Sequence, residues 1–93
     1  MLETPARFWL AQNYPNPFNP STKIAFAVGS RGMVSLKLYD MLGREVATLV
    51  EEVKGVGEYE ASFDASHLSG GVYLCRMTAA GGFADTKKLL LLK

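Results

Sequence analysis

Val34-Ser35-Leu36-Lys37-Leu38-Tyr39, followed by Asp40-Met41-Leu42-Gly43 and then Arg44-Glu45-Val46, is the stretch that decides the fold. Val34, Leu36 and Leu38 alternate with Ser35, Lys37 and Tyr39, so one side of an extended chain is apolar and the other wettable. Asp40 suits the first position of a type I turn, where its carboxylate can bond its own backbone. Gly43 suits the fourth, where positive φ is needed. Glu45 to Val50 resumes as a run rich in β-branched residues. The pattern is strand, tight turn, strand.

Working outward, the same grammar recurs. Ile24, Phe26 and Val28 alternate with Lys23, Ala25 and Ala27, and Ser30-Arg31-Gly32 separates them from the opening stretch. Gly55-Val56-Gly57 precedes a strand in which Tyr59, Ala61 and Phe63 alternate with Glu58, Glu60 and Ser62. Ser69-Gly70-Gly71 opens another, Val72 to Thr78, with Tyr73, Cys75 and Met77 on one face. Ala79-Ala80-Gly81-Gly82 reads as a hairpin loop before a last strand, Phe83 to Leu92. Phe8 to Tyr14 reads as a short first strand. About seven strands, parted by turns at roughly 8–12-residue spacing, predict an all-β sandwich or barrel. Asp64 to Leu68 must carry the chain between strand regions, and a Greek-key crossover fits there.

Bulk properties exclude several functions. One cysteine, Cys75, leaves no internal disulfide. The net charge of +1 comes from interspersed charges, whereas phosphate binding needs clustered cations, so nucleic acid is excluded as a partner. The longest apolar stretch, Leu89 to Leu92, is far shorter than the roughly 20 residues that span a bilayer. Met1-Leu2-Glu3-Thr4-Pro5 lacks the basic start and apolar run of a signal peptide. Either the protein is cytosolic or the chain is a piece of a longer one; the second is the favoured expectation, with residues 1–10 as linker and beginning of the first strand and residues 11–93 as the domain.

Catalytic chemistry finds no constellation. The single histidine, His67, lies in the polar crossover, and Cys75 lies mid-strand, where a small buried hydrophobe is expected. No Cys or His pair suggests zinc. Asp64, Ser66 and the carbonyls near Ser69 could gather around calcium, but an Asx-type turn on Asp64 is the expected use. Adjacent Glu51 and Glu52 point to opposite faces, and Glu58 and Glu60 mark a solvated face. No cofactor is expected, and the reading is not an enzyme. Trp9, beside Phe8 and Leu10, is expected in the core; a sugar-stacking platform is the competing reading. Tyr73 matches the tyrosine corner of Greek-key sandwiches.

Two segments stand apart. Pro15-Asn16-Pro17-Phe18-Asn19-Pro20 cannot be a central strand, because each proline lacks a backbone donor. It reads as a stiff, extended structural loop, with Phe18 tucked under the sandwich edge as a plug. Lys87-Lys88-Leu89-Leu90-Leu91-Leu92-Lys93 puts leucines on both faces. Such a strand is either covered by its own domain or read at its edge by a partner through strand addition.

The run Asn13-Tyr14-Pro15-Asn16-Pro17-Phe18-Asn19-Pro20-Ser21-Thr22, then the opening stretch through Val46, then Gly70-Gly71-Val72-Tyr73, then Thr86-Lys87-Lys88 into leucines and Lys93, resembles the type A C-terminal sorting domain of type IX secretion cargo. The resemblance covers Ala11 to Lys93; Met1 to Arg7 carries none, and Cys75 stands where a larger residue is common. Ig-like domains of flagellar hook-capping proteins share the Asn-Pro-Phe-Asn-Pro and Gly-Val-Tyr runs, and the Lys-Lys-leucine ending favours sorting. The resemblance implies an Ig-like Greek-key β-sandwich that directs a larger cargo across the outer membrane. It implies a route through the periplasm, a secreted or cell-surface destination, and cleavage or anchoring at the surface. The implied partners are an outer-membrane translocon and a surface sortase-like peptidase. The implied recognition residues are Gly71, Val72 and Tyr73 with Lys87, Lys88, Leu89, Leu90, Leu91, Leu92 and Lys93. Alternative readings are a structural or carbohydrate-binding accessory module of an extracellular enzyme, and edge-strand self-association.

Overall fold

In the computed structural model, which describes residues 6–93, seven strands form two antiparallel sheets. The part of the expected linker at residues 1–5 lies outside the described residues. The strands are β1 (Trp9–Leu10), β2 (Ser21–Val28), β3 (Gly32–Tyr39), β4 (Glu45–Lys54), β5 (Gly57–Asp64), β6 (Gly71–Thr78) and β7 (Ala84–Leu91). One sheet has the order β1-β2-β5 and the other β4-β3-β6-β7. Consecutive strands β3–β4 and β6–β7 form hairpins, while β2 pairs with β5 and β3 with β6. The chain therefore changes sheet after β2, β4 and β5, which is the Greek-key arrangement of an Ig-like sandwich.

Alternation places the core. Ile24, Phe26 and Val28 from one sheet meet Val34, Leu36, Leu38, Cys75, Met77, Leu89 and Leu91 from the other, all buried. Strands of this kind bury only one face, so their opposite residues stay wet. Both turn expectations at the ends of β3 and β5 hold. Asp40 accepts from the Leu42 and Arg44 amides at 2.9 Å through Oδ1, and the Gly43 amide donates to the Asp40 carbonyl at 3.0 Å. Gly43 has φ +84°, where a side chain would be strained. Asp64 Oδ1 accepts from the Ser66 amide at 2.9 Å, an Asx turn that starts the crossover.

Three expectations need correction. The first strand does not run from Phe8 to Tyr14: β1 has two residues, followed by an isolated Tyr14–Lys23 bridge. Register explains it. Trp9 pairs Ala27 and Leu10 pairs Phe26, but Tyr14 pairs Lys23, so one extra residue is taken up between. Asn13 turns inward at that irregularity, where its Nδ2 donates to Thr22 Oγ1 and the Pro15 carbonyl, both at 3.0 Å. Second, Trp9 is not core. Leu10 takes the inward position, so Trp9 points out, 36% exposed. Third, β4 runs on past Val50 to Lys54. It carries register shifts opposite Leu36/Lys37 and Leu38/Tyr39. Those bulges let Val46, Ala47, Leu49 and Val50 all touch the core although they do not alternate.

Candidate recognition surface

The β6–β7 hairpin carries most of the expected recognition residues. Gly71 opens β6 at φ +147°, a conformation that glycine adopts readily. Antiparallel register then sets Val72 opposite Leu90, Tyr73 opposite Leu89 and Leu74 opposite Lys88. Tyr73 and Leu89 point inward and are buried, as is Leu91. The Tyr73 hydroxyl donates to the Ser69 carbonyl at 2.5 Å, closing the corner that leads into β6. Val72, Lys88 and Leu90 therefore share the outer face, and Leu90 and Leu92 are 36% and 50% exposed. Lys87 lies toward the inner face beside Asp85, at 3.7 Å. Lys93 Nζ donates to the Ser66 carbonyl at 2.8 Å and ties the tail to the crossover. The expected set is thus divided between two faces of one strand pair.

The leucine-rich strand is at the edge of its sheet, yet that edge is not bare. The Gln12–Phe18 segment leaves β1 and runs along it as a strap. Gln12 Nε2 donates to the Lys88 carbonyl at 2.6 Å, and the Leu90 amide donates to Asn16 Oδ1 at 3.0 Å. The Phe18 amide donates to the Leu90 carbonyl and the Leu92 amide to the Phe18 carbonyl, both at 2.9 Å. The Phe18 ring, 2% exposed, plugs the sandwich between the sheets as expected. Among the outward main-chain groups, the Thr86 amide is taken by Asp85 Oδ1 at 2.8 Å. The carbonyls of Ala84 and Thr86 fall on the same outward side by alternation. An open edge is a template for pairing with other chains, and the strap removes most of this one.

The strap also makes a groove. Asn16 and Pro17 rise beside Val72, Lys88 and Leu90 to enclose about 300 Å³ on the outer face. Its floor is aliphatic and its one cation is Lys88. Sequence reasoning expected the loop and the hairpin separately. It missed that the side chains of Gln12 and Asn16 join them, because the partners lie 76 and 74 residues away.

The nucleophile and base candidates are held apart in environment. Cys75 is fully buried, and burial pushes its thiol up to about 12, so it stays protonated at neutral pH. His67 is exposed in the crossover. Among the described residues, no cluster of His, Cys, Asp and Glu could hold a metal ion, and no helix is long and apolar enough to cross a membrane.

A sequence model of the secretion system C-terminal sorting domain matches residues 12–92, from the start of the strap to the end of the leucine run. No curated protein matches the chain. Domains of this family are the sorting signals of type IX secretion, which send proteins to the cell surface or the medium, and they are not catalytic modules. With 81 matched residues in one unbroken span, the chain belongs to the secretion system C-terminal sorting domain family.

Proposed function

We propose that the secretion machinery reads this signal as side chains on a preformed face, the groove floored by Val72, Lys88 and Leu90 and walled by Asn16 and Pro17. The observation that carries it is the strap. Strand addition needs free main-chain groups, and those of β7 from the Lys88 carbonyl to the Leu92 amide are mostly engaged within the domain. What remains exposed is an aliphatic patch with one lysine, suited to an apolar partner surface flanked by a carboxylate. The outer-membrane translocon meets this face after passage through the periplasm, and a surface sortase-like peptidase acts on the emerged cargo. Self-association through β7 is opposed by the same strap.

A transport assay tests the reading. Residues 11–93 are fused behind a signal peptide and a fluorescent reporter in a host with type IX machinery, alongside Val72→Glu, Lys88→Glu, Leu90→Glu and a fusion ending at Thr86. Lys88 and Leu90 are exposed and Val72 is half-buried on the outer face, so the variants should stay folded, which thermal melts of the purified proteins check. Loss of export in the folded Leu90→Glu and Val72→Glu variants supports the groove. Export equal to wild type in both sinks it, and export of the Thr86 fusion sinks the role of the tail.

A further inference from the structure

The groove does not account for the opposite side of the molecule. There the outer face of the three-stranded sheet presents two exposed aromatics, Trp9 at 36% and Tyr14 at 82%. Phe18, Phe26, Phe63 and Tyr73 are all buried. Register puts Trp9 beside Ala27 and Tyr14 beside Lys23, so both rings stand along the same face. They are separated by four residues of β2, about 13 Å at about 3.3 Å per residue. Between them lie the small side chains of Ala25 and Ala27, the second buried, and the Lys23–Glu60 ion pair beside Ala25.

Across β2 from the rings, β5 supplies polar groups in a row. Glu58 lies opposite Ala27, Glu60 opposite Ala25, Ser62 opposite Lys23 and Asp64 opposite Ser21. A depression of about 590 Å³ lies at the Tyr14 end, against Lys23, Ser62 and Asp64. A second, of about 300 Å³, lies at the Trp9 end, against Ala27 and Glu58. Two aromatic side chains and a facing row of three carboxylates and one hydroxyl suit a sugar ring. Its C–H face stacks on an aromatic, and its hydroxyls donate to carboxylates.

We propose that this face binds a neutral oligosaccharide, stacked on Trp9 and Tyr14 and held by hydroxyl contacts to Glu58, Ser62 and Asp64. The spacing of the rings selects a short oligosaccharide over a monosaccharide. The charge of the face selects a neutral glycan over an acidic one. Lys23 pairs with Glu60 at 3.7 Å and Arg7 lines the Trp9-end depression beside Glu58, so the carboxylates Glu58, Glu60 and Asp64 outnumber the two cations by one and leave the face mildly unfavourable to uronate or phosphate groups.

Trp9 is the only tryptophan, so its emission reports the face directly. The whole chain is titrated with neutral hexasaccharides of β-1,4-glucose, α-1,4-glucose, β-1,4-xylose and β-1,4-N-acetylglucosamine, and with oligogalacturonate. At least one neutral sugar should shift the emission saturably, with Kd near or below about 1 mM. Tyr14→Ala should weaken that binding about tenfold at an unchanged melting temperature, the scale expected from losing one stacked aromatic. Trp9→Ala, followed by calorimetry, should abolish it. The proposal is overturned if no neutral sugar binds at tens of millimolar, about tenfold above that scale. Binding of oligogalacturonate alone, binding unaffected by Tyr14→Ala, or emission that follows protein concentration and not sugar would each overturn it too. The last outcome would mark the face as a contact between copies of the chain.

Discussion

Replacing Phe18 with alanine asks whether the plug seats the strap. The ring is 2% exposed and sits between the two sheets, beside Leu91. Deleting a buried phenylalanine costs about 3–5 kcal/mol, part transfer and part cavity. Phe18 lies at the open side of the sandwich, where the strap can settle into some of the void, so about 3 kcal/mol is expected. Small domains have about 5–15 kcal/mol in all, and at this size each kcal/mol moves the midpoint by roughly 4–8 °C. Phe18→Ala should therefore melt roughly 12–24 °C lower than wild type. The sharper readout is local. The Leu90 amide bonds to Asn16 Oδ1 and the Leu92 amide to the Phe18 carbonyl. Hydrogen exchange at these two amides should speed up by more than the global loss explains, while Leu36 and Leu38 in β3 follow the global change. Phe18→Leu should recover most of the protection. A cost under about 1 kcal/mol, well below the usual range, with Leu90 and Leu92 still protected, would refute the idea that the ring anchors the strap.

Tyr73→Phe removes the hydroxyl donated to the Ser69 carbonyl and should cost about 1–2 kcal/mol in a urea melt. Gly43→Ala forces a side chain into φ +84° and should cost about 1–2 kcal/mol, although nothing lies close enough to clash. The Arg44 amide, with the Arg44 side chain and the Leu42 amide, holds the Asp40 carboxyl below its ordinary range. Its contribution is present above the ordinary carboxylate range and is lost as pH falls through the depressed folded value. An acid titration of Asp40→Ala against wild type should show the gap narrowing as the pH drops. Burial raises the Cys75 thiol from 9.0 to about 12, so its contribution is whole below 9.0 and is lost as pH rises toward 12. By pH 11 that loss is roughly 3 kcal/mol, and Cys75→Ala should lack this part of the alkaline decline in melts between pH 8 and 11.

Much of the sandwich was legible because alternation is a local signal. Val34, Leu36 and Leu38 announce an inward face without reference to anything distant, and Asp40 and Asp64 build their turns from neighbours within four residues. Tyr73 was legible for the same reason, since its partner is four residues back. Trp9 misled because three adjacent apolar residues do not say which one faces in; the pairing of Leu10 with Phe26 decides it. The length of β4 was masked by Glu51 and Glu52, which sit on a strand whose neighbour, not composition, keeps it extended. The proposed recognition face was half legible. Its leucines and lysine stand out in the chain, but the groove exists only where Asn16 and Pro17 meet Val72 and Leu90, and no local pattern encodes that meeting.

The strap sets a waiting time on biosynthesis. Phe18 leaves the ribosome 73 residues (91 − 18) ahead of Leu91, the bridge partner that completes its seat. At about 5–20 residues per second that interval is roughly 4–15 s, while a small β-rich domain folds in about milliseconds to seconds once all its strands are present. For most of that interval the Phe18 ring and the inner faces of β2 and β3 lack Cys75, Met77, Leu89 and Leu91, which complete their core. A nascent chain in that condition is a natural client for a chaperone that holds unfolded polypeptide. The domain cannot close early, so its fold is finished by the strand that is made last.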